Sequence, residues 1–339
     1  FRPLAKLVFH QQTNKLDLPH GFENCEGIND LCLTLKVLNI ANTGVSITGV
    51  FLALKIVPGL ESLGEYCHVG RALELLENTS KFKQVPQLCL NTACILRSSL
   101  HHLKLIAQAC PSLYHLSLSE PHLSPKYLSL LSTKLTSLNL HGVPNSPTWI
   151  LKLYNYLEGT HGSNLKELTI KFSFIEYLTS LNICKILKCC SKLHTLILDG
   201  AFVDWAGVLP GILPLKKIQI GKLVRSNTIK NLLCSAPQLK IIHIHSFLEI
   251  GEEDVIQHCN PYLECFYIHD TTCISINTVR TLLENCPNLF KIGNLNSWGL
   301  SCDAIYSVVN NVFEHNYNLE FNAGSHWFCS QCFSMPIYS

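Results

Sequence analysis

Charge is scarce in this chain. Asp, Glu, Lys and Arg make up 15% of its 339 residues, and 26 basic against 24 acidic side chains leave a formal net charge of +2. Overall charge therefore gives no reason to expect nucleic acid, a membrane surface or an acidic partner. Methionine is nearly absent: the only one is Met335 and the chain opens on Phe1, so a fragment or a processed product is expected. The opening FRPLAKLVFHQQTNK has no apolar h-region and no small-residue cleavage site, so no secretory signal is expected. No run of 18 apolar residues occurs, so no membrane-spanning helix is expected either. GxSxG, a P-loop, a GxGxxG after a strand and HExxH are all missing. The chain is accordingly read as non-enzymatic, with no catalytic residues, no cofactor and no resident metal.

Apolar residues, by contrast, reach 47%, which places the chain among ordered proteins. Cysteine is plentiful at 17, an odd number that leaves at least one thiol unpaired within the chain. The cysteines fall at recurring positions rather than in a compact disulfide framework, where free Cys acts as a small buried hydrophobe. This usage points to a reducing compartment, cytoplasm or nucleus.

The recurring positions belong to an internal repeat. The phrase Φ-x-x-Φ-x-Φ, with Φ apolar, fits Leu113/Leu116/Leu118, Leu135/Leu138/Leu140, Leu165/Leu168/Ile170 and Leu193/Leu196/Leu198. It fits again at Leu215/Ile218/Ile220, Leu239/Ile242/Ile244 and Leu263/Phe266/Ile268, with looser versions at Leu4, Leu60 and Leu289. From Leu113 on, first anchors stand 22 to 30 residues apart. The alternation inside each phrase predicts a short strand with one buried face.

Between phrases the period changes to that of a helix. Val279, Leu282, Leu283 and Cys286 precede Leu289, and Leu103, Ile106, Ala107 and Cys110 precede Leu113, spaced i, i+3, i+4, i+7. A proline follows the last stripe residue at Pro58, Pro111, Pro237 and Pro287 and stops the helix. Each unit is thus expected to run strand, loop, helix. No unit buries its apolar faces alone, so neighbours must stack.

The fold expected is an α/β leucine-rich-repeat solenoid, a horseshoe of about a dozen repeats with a parallel sheet on the concave side and helices on the convex side. Residues 1–325 are read as the repeat domain, irregular at 11–34 and 64–84, and residues 326–339 as a tail or cap.

With CPSLYHLSL, NCPNLFKI and the helix ahead of each, the chain resembles the cysteine-containing leucine-rich repeats of F-box/leucine-rich-repeat proteins. The resemblance implies the substrate-binding repeat domain of an SCF-type cullin ubiquitin ligase. An F-box module before the repeats would dock the ligase's adaptor subunit. No F-box-like segment is found in this sequence, so the adaptor is expected as a partner only if an F-box lies outside it. A free-standing leucine-rich-repeat binder or inhibitor is the competing reading, since fold does not dictate function.

The strand register aims the side chains between anchors at the concave face. His115, His141, Lys171, Asp199, Gln219, His243, His245, Tyr267 and His269 are the expected contacts for a protein partner. His243, His245 and His269 are expected to cluster, with His245 and His269 on neighbouring strands, as a solvated group rather than a zinc site. Cys329 and Cys332, near His326, form a single CxxC with no second pair, too few ligands for structural zinc. Lys216, Lys217, Lys222 and Arg225 are too few to make nucleic acid the expected partner.

Overall fold

The phrase Φ-x-x-Φ-x-Φ does form a strand, and successive strands pair in parallel at the register of the repeat. The structure is a computed structural model. It describes residues 6–8, 35–40, 43–57, 59–80, 85–121, 123–173, 179–209, 211–221, 223–247, 251–257, 259–271, 274–293, 295–314 and 319–322. The irregular stretch 11–34 and the tail with His326, Cys329 and Cys332 lie outside these residues. The chain divides into two compact units, Phe1–Thr179 with Lys185–Leu193, and Ser180–Cys184 with His194–Ser339.

In the first unit, β1 (Lys6–Val8) pairs in parallel with β2 (Val37–Asn39). Helices α1 (Ile47–Ile56) and α2 (Val69–Thr79) follow. Then come β3 (Thr92–Leu96), α3 (Leu100–Ala109), β4 (His115–Ser119), β5 (Ser137–Val143), α4 (Pro147–Leu157) and β6 (Glu167–Phe172). Strands β3 to β6 pair in chain order, all parallel. Leu116, Leu118, Leu138, Leu140, Leu168 and Ile170 are buried on one face. Each such leucine contributes about 1.5–3 kcal/mol on leaving water.

In the second unit β7 (Ser180–Asn182) is followed by α5 (Ile183–Cys189), which straddles the division. Next are β8 (Thr195–Asp199), β9 (Phe202–Asp204), β10 (Lys217–Ile220), α6 (Ser226–Ser235), β11 (Ile241–Phe247) and α7 (Glu252–Ile256). The unit closes with β12 (Cys265–Asp270), α8 (Ile276–Asn285), β13 (Lys291–Gly293), α9 (Cys302–Glu314) and β14 (Glu320–Asn322). Strands β8, β10, β11, β12, β13 and β14 form one parallel series, and β7 pairs with β9 beside it.

The turn from helix to strand explains the recurring cysteine and proline. Cys110 and Cys286 cap α3 and α8 with φ/ψ of −122°/68° and −119°/76°, outside the helical region, as the following proline requires. Each cap still donates its N–H to the carbonyl four residues back, Ile106 or Leu282. The next strand's first anchor then donates to the cap carbonyl, Leu113 to Cys110 at 3.2 Å and Leu289 to Cys286 at 3.0 Å. Cys259 stands one residue out of this pattern: Leu263 bonds to Asn260 instead, and Cys259 is only half-buried.

Two expectations need correction. Not every unit is strand, loop, helix. In the two units whose anchors stand 22 residues apart, the connection holds no α-helix among the described residues. Between β4 and β5 it carries a 3-10 turn, Pro125–Leu130, and between β8 and β10 the strand β9. Of the stretch 64–84, read as irregular, the described residues 64–80 are more regular than expected, because they hold α2. There Val69, Ala72, Leu73 and Leu76 are buried at helical spacing. The missing third anchor after Leu60 and Leu63 hid this unit from the sequence pattern.

Candidate functional site

Strand alternation leaves every second side chain on the sheet face opposite the packed leucines. β3, β4 and β8 alternate buried and more exposed positions residue by residue, and the rungs of the parallel register carry those side chains across the sheet.

In the first unit one rung is Thr92, His115, Ser137 and Glu167, and another is Leu96, Ser119, His141 and Lys171. Ser137 Oγ donates to Glu167 Oε2 at 2.9 Å, tying two of these strands together. Burial pushes His115 below the usual imidazole range, against the pull of Glu167 and Glu65. Burial and then Lys171 push His141 down, against Glu65. Lys171 is half-buried beside His141.

In the second unit the central rung is Ile197, Gln219, His243, Tyr267 and Gly293. The His243 ring lies 4.4 Å from His245, nearly parallel at 27°, and 4.3 Å from Tyr267. His245 and Tyr267 are 5.7 Å apart, closing a three-ring cluster. Burial, then His245, Lys291 and Lys217, bring His243 down to about 4. Burial raises Tyr267, opposed by Lys291. Asp199 is exposed, and its carboxylate lies over Gly221, where a Cβ would collide with Oδ1.

The ring contacts add Tyr267 to the expected cluster. The register shifts between Ile244 and Phe247, and the ring contacts of His245 run to His243 and Tyr267. His269 lies on the same strand as Tyr267 and is exposed. Tyr267, expected on display, is only 6% exposed because the two imidazoles cover it. Stacked imidazoles turn their faces rather than their nitrogens to one another. Among the described residues no group of three or more His, Cys, Asp or Glu side chains is placed to hold a metal ion.

The buried thiols are poor nucleophile candidates. Burial lifts Cys110 and Cys190 to about 12. Cys94, on the open face, is raised by burial, which outweighs a hydrogen bond from Ser117. Cys286 is lowered by a hydrogen bond from Cys259, but it is 2% exposed, so a solvent-borne substrate does not reach it. Sequence reasoning placed Lys217 on the strip between strand anchors without pairing it with His243, and it missed Lys291. Both stand at alternating strand positions, so the same period that flagged His243 also marks them.

The architecture is an α/β leucine-rich-repeat solenoid, as the parallel register and the strand–helix alternation establish. No protein-family model and no curated protein matches the chain. Similar solved structures include an internalin from Listeria monocytogenes at 15% identity, covering 86% of this chain and 88% of that one, with a TM-score of 0.38. A leucine-rich-repeat protein of Leptospira interrogans is 14% identical over 88% of this chain and 74% of its own, with a TM-score of 0.40. A chain of the yeast Rad7–Elc1 complex is 14% identical over 76% of this chain and 89% of its own, with a TM-score of 0.29. No helix among the described residues is long and apolar enough to cross a membrane.

Proposed function

We propose that this chain is a non-catalytic protein-recognition scaffold that binds its partner on the open face of the repeat strands. The observation that carries the reading is the ring cluster His243, His245 and Tyr267, set beside Gln219 and the lysines Lys217 and Lys291 in the strand register. Partly buried aromatic groups framed by polar neighbours are the usual make-up of a binding hot spot. In the second unit Asp199, Gln219 and His269 extend that face along their strands, and in the first unit His115, His141 and Lys171 line the open face of its own strands. Cytoplasm or nucleus suits its many free thiols.

The more specific form of the proposal is the substrate-binding repeat domain of an F-box-type ubiquitin ligase. It rests on the cysteine-containing repeat phrase, in which Cys110, Cys190 and Cys286 close helix stripes and are buried. In that form a cullin-ligase adaptor would be met through an F-box outside this sequence. A pull-down with the full transcript product, read by mass spectrometry, tests both levels. A cullin and its adaptor among the partners supports the ligase form. A single stoichiometric protein partner without them removes it in favour of a free-standing binder. Loss of the partner in His243→Ala and Tyr267→Ala variants that keep their fold supports the open face as the site; retention excludes it.

A further inference from the structure

Cys259 is out of step with the repeat, and that brings it to a second thiol. At the helix-to-strand turn Leu263 donates its N–H to the Asn260 carbonyl and Leu289 to that of Cys286. Asn260 therefore holds the position of Cys286 in its own repeat, and Cys259 stands one residue earlier. The strands that follow, β12 and β13, are neighbours in parallel register. Adjacent strands lie about 4.8 Å apart, inside the roughly 4.4–6.8 Å that a disulfide spans between Cα atoms. The side chains close the gap: Cys259 and Cys286 are hydrogen-bonded thiol to thiol, and the Asn260 N–H donates to the Cys286 sulfur. We propose that Cys259 and Cys286 form an oxidation site, closed to a disulfide by hydrogen peroxide and reopened by a dithiol reductant.

Exposure divides the two roles. Cys259 is half-buried and open to a small oxidant, whereas Cys286 is 2% exposed. The Cys259 sulfur attacks one peroxide oxygen and the O–O bond breaks. The departing oxygen leaves as water with the thiol proton, and Cys259 becomes a sulfenic acid. The Cys286 sulfur then attacks the Cys259 sulfur, the S–O bond breaks, and the hydroxyl leaves with the Cys286 proton as a second water. The two sulfurs lose two electrons in all, and one peroxide gains them. Reduction returns both protons and both electrons from a dithiol, which leaves as its own disulfide. Pairing holds the proton on Cys259 and lowers Cys286. The first step therefore needs peroxide in excess, and Cys286 is the readier nucleophile for the second. Cys259 Sγ also reaches the Val255 carbonyl at 3.4 Å, a contact the disulfide would replace. The repeat supplies a control. Cys110 caps α3, but the equivalent turn one strand on holds Ser132, whose carbonyl accepts from Leu135. A Cys259–Cys286 bond would tie the turn before β12 to the turn before β13, closing a loop that contains α8 and the strand of Tyr267. Redox-sensing disulfides of this transient kind belong to reducing compartments.

The test uses the full chain, reduced, freed of reductant and treated in native buffer with excess hydrogen peroxide. Remaining thiols are alkylated in denaturant, and the digest is read by mass spectrometry without reduction. A peptide pair joined through Cys259 and Cys286, about 2 Da lighter than its two thiol peptides together, is expected. It should vanish after dithiothreitol, and fragmentation should assign the bond to Cys259 rather than to Cys265. Cys110 should be recovered alkylated throughout. The melting temperature should rise by at least about 3 °C on oxidation of the wild type and by less than about 1 °C in Cys259→Ser. Should that variant fail to fold, the wild type decides: alkylation at Cys259 and Cys286 should fall together with peroxide and return together with dithiothreitol. Unchanged alkylation of both thiols overturns the inference. So does a sulfenic or sulfinic acid at Cys259 beside a free Cys286, or a bond from Cys286 to another cysteine. Cross-linking only between chains, through the exposed Cys89, Cys234 or Cys302, overturns it as well. An oxidised chain that melts no higher than the reduced one would mean that the bond does not tie the folded turns, and the site would be given up. The protein-recognition reading stands or falls separately, on the partner's response to His243→Ala and Tyr267→Ala.

Discussion

His243 and Tyr267 share one rung of the sheet, on adjacent strands, with ring centroids 4.3 Å apart at 57°. That contact buries both rings in part and sets the chemistry of the face. The imidazole loses water on the tyrosine side and feels Lys217 and Lys291 from strands on both sides, so it stays neutral well below the pH at which a free histidine protonates.

The first prediction follows from that titration. The folded-state value of His243 is about 4, against about 6.5 for an unfolded imidazole. As pH falls the unfolded chain takes up the proton first, so stability drops between about 6.5 and about 4 and levels off below. Allowing for solvent screening, the loss is on the order of 2 kcal/mol. Histidine NMR should give a midpoint near 4 for His243, and His243→Gln should flatten the acid side of the melting-temperature profile. Equal slopes in wild type and variant would remove His243 as the cause.

Strand register is tested by a pair of substitutions. Leu196 is fully buried and its neighbour Thr195 is half-exposed on the other face. Leu196→Ala should cost about 2–5 kcal/mol in urea unfolding, since it removes buried methyl groups and leaves a cavity. Leu196→Asp should cost more, because the new carboxylate has no partner. Thr195→Ala should stay within about 0.5 kcal/mol. Similar losses at both positions would contradict the alternation.

Gly162 sits in the turn before Leu165, where a Cβ would collide with the Leu157 carbonyl oxygen and come 3.0 Å from the Leu157 Cα. Backbone, unlike a side-chain tip, has little room to give. Gly162→Ala should therefore destabilise the first unit by about 1–3 kcal/mol. A thermal melt of this single variant is enough to check it.

Helix α3 starts with a reciprocal cap: Ser99 Oγ accepts from the His102 amide at 3.2 Å, and His102 Nδ1 accepts from the Ser99 amide at 3.3 Å. That arrangement leaves His102 Nε2 at 2.9 Å from Glu74 Oε1 on α2. Ser99→Ala should cost about 1 kcal/mol. Hydrogen exchange at the first amides of α3 should speed up, with β4 unaffected.

The thiols offer a probe of packing. Cys110 and Cys190 are buried and raised to about 12, whereas Cys89, Cys234 and Cys302 are exposed. Brief iodoacetamide treatment followed by peptide mass spectrometry should label the exposed set and spare Cys110 and Cys190 until denaturant is added. Early labelling of Cys110 would mean that the helix-to-strand turn opens in the native protein.

Much of this protein is legible in one dimension because a repeat writes each local decision many times. Alternation at Leu116 and Leu118, the helical spacing of Val279, Leu282, Leu283 and Cys286, and the proline after Cys286 are local constraints. Backbone geometry alone converts them into strand, helix and turn. Local periodicity could not supply what depends on neighbouring repeats. Burial of Tyr267 needs two imidazoles from the strand beside it, and the field at His243 needs Lys217 and Lys291 from strands on both sides. The register shift after Ile244 has no mark in the sequence pattern. The sequence by itself determined the repeat, its strand faces and its buried anchors, since these follow from residue spacing. Only the tertiary structure decided which polar groups meet across strands, because lateral distance, desolvation and charge exist only once the strands are side by side.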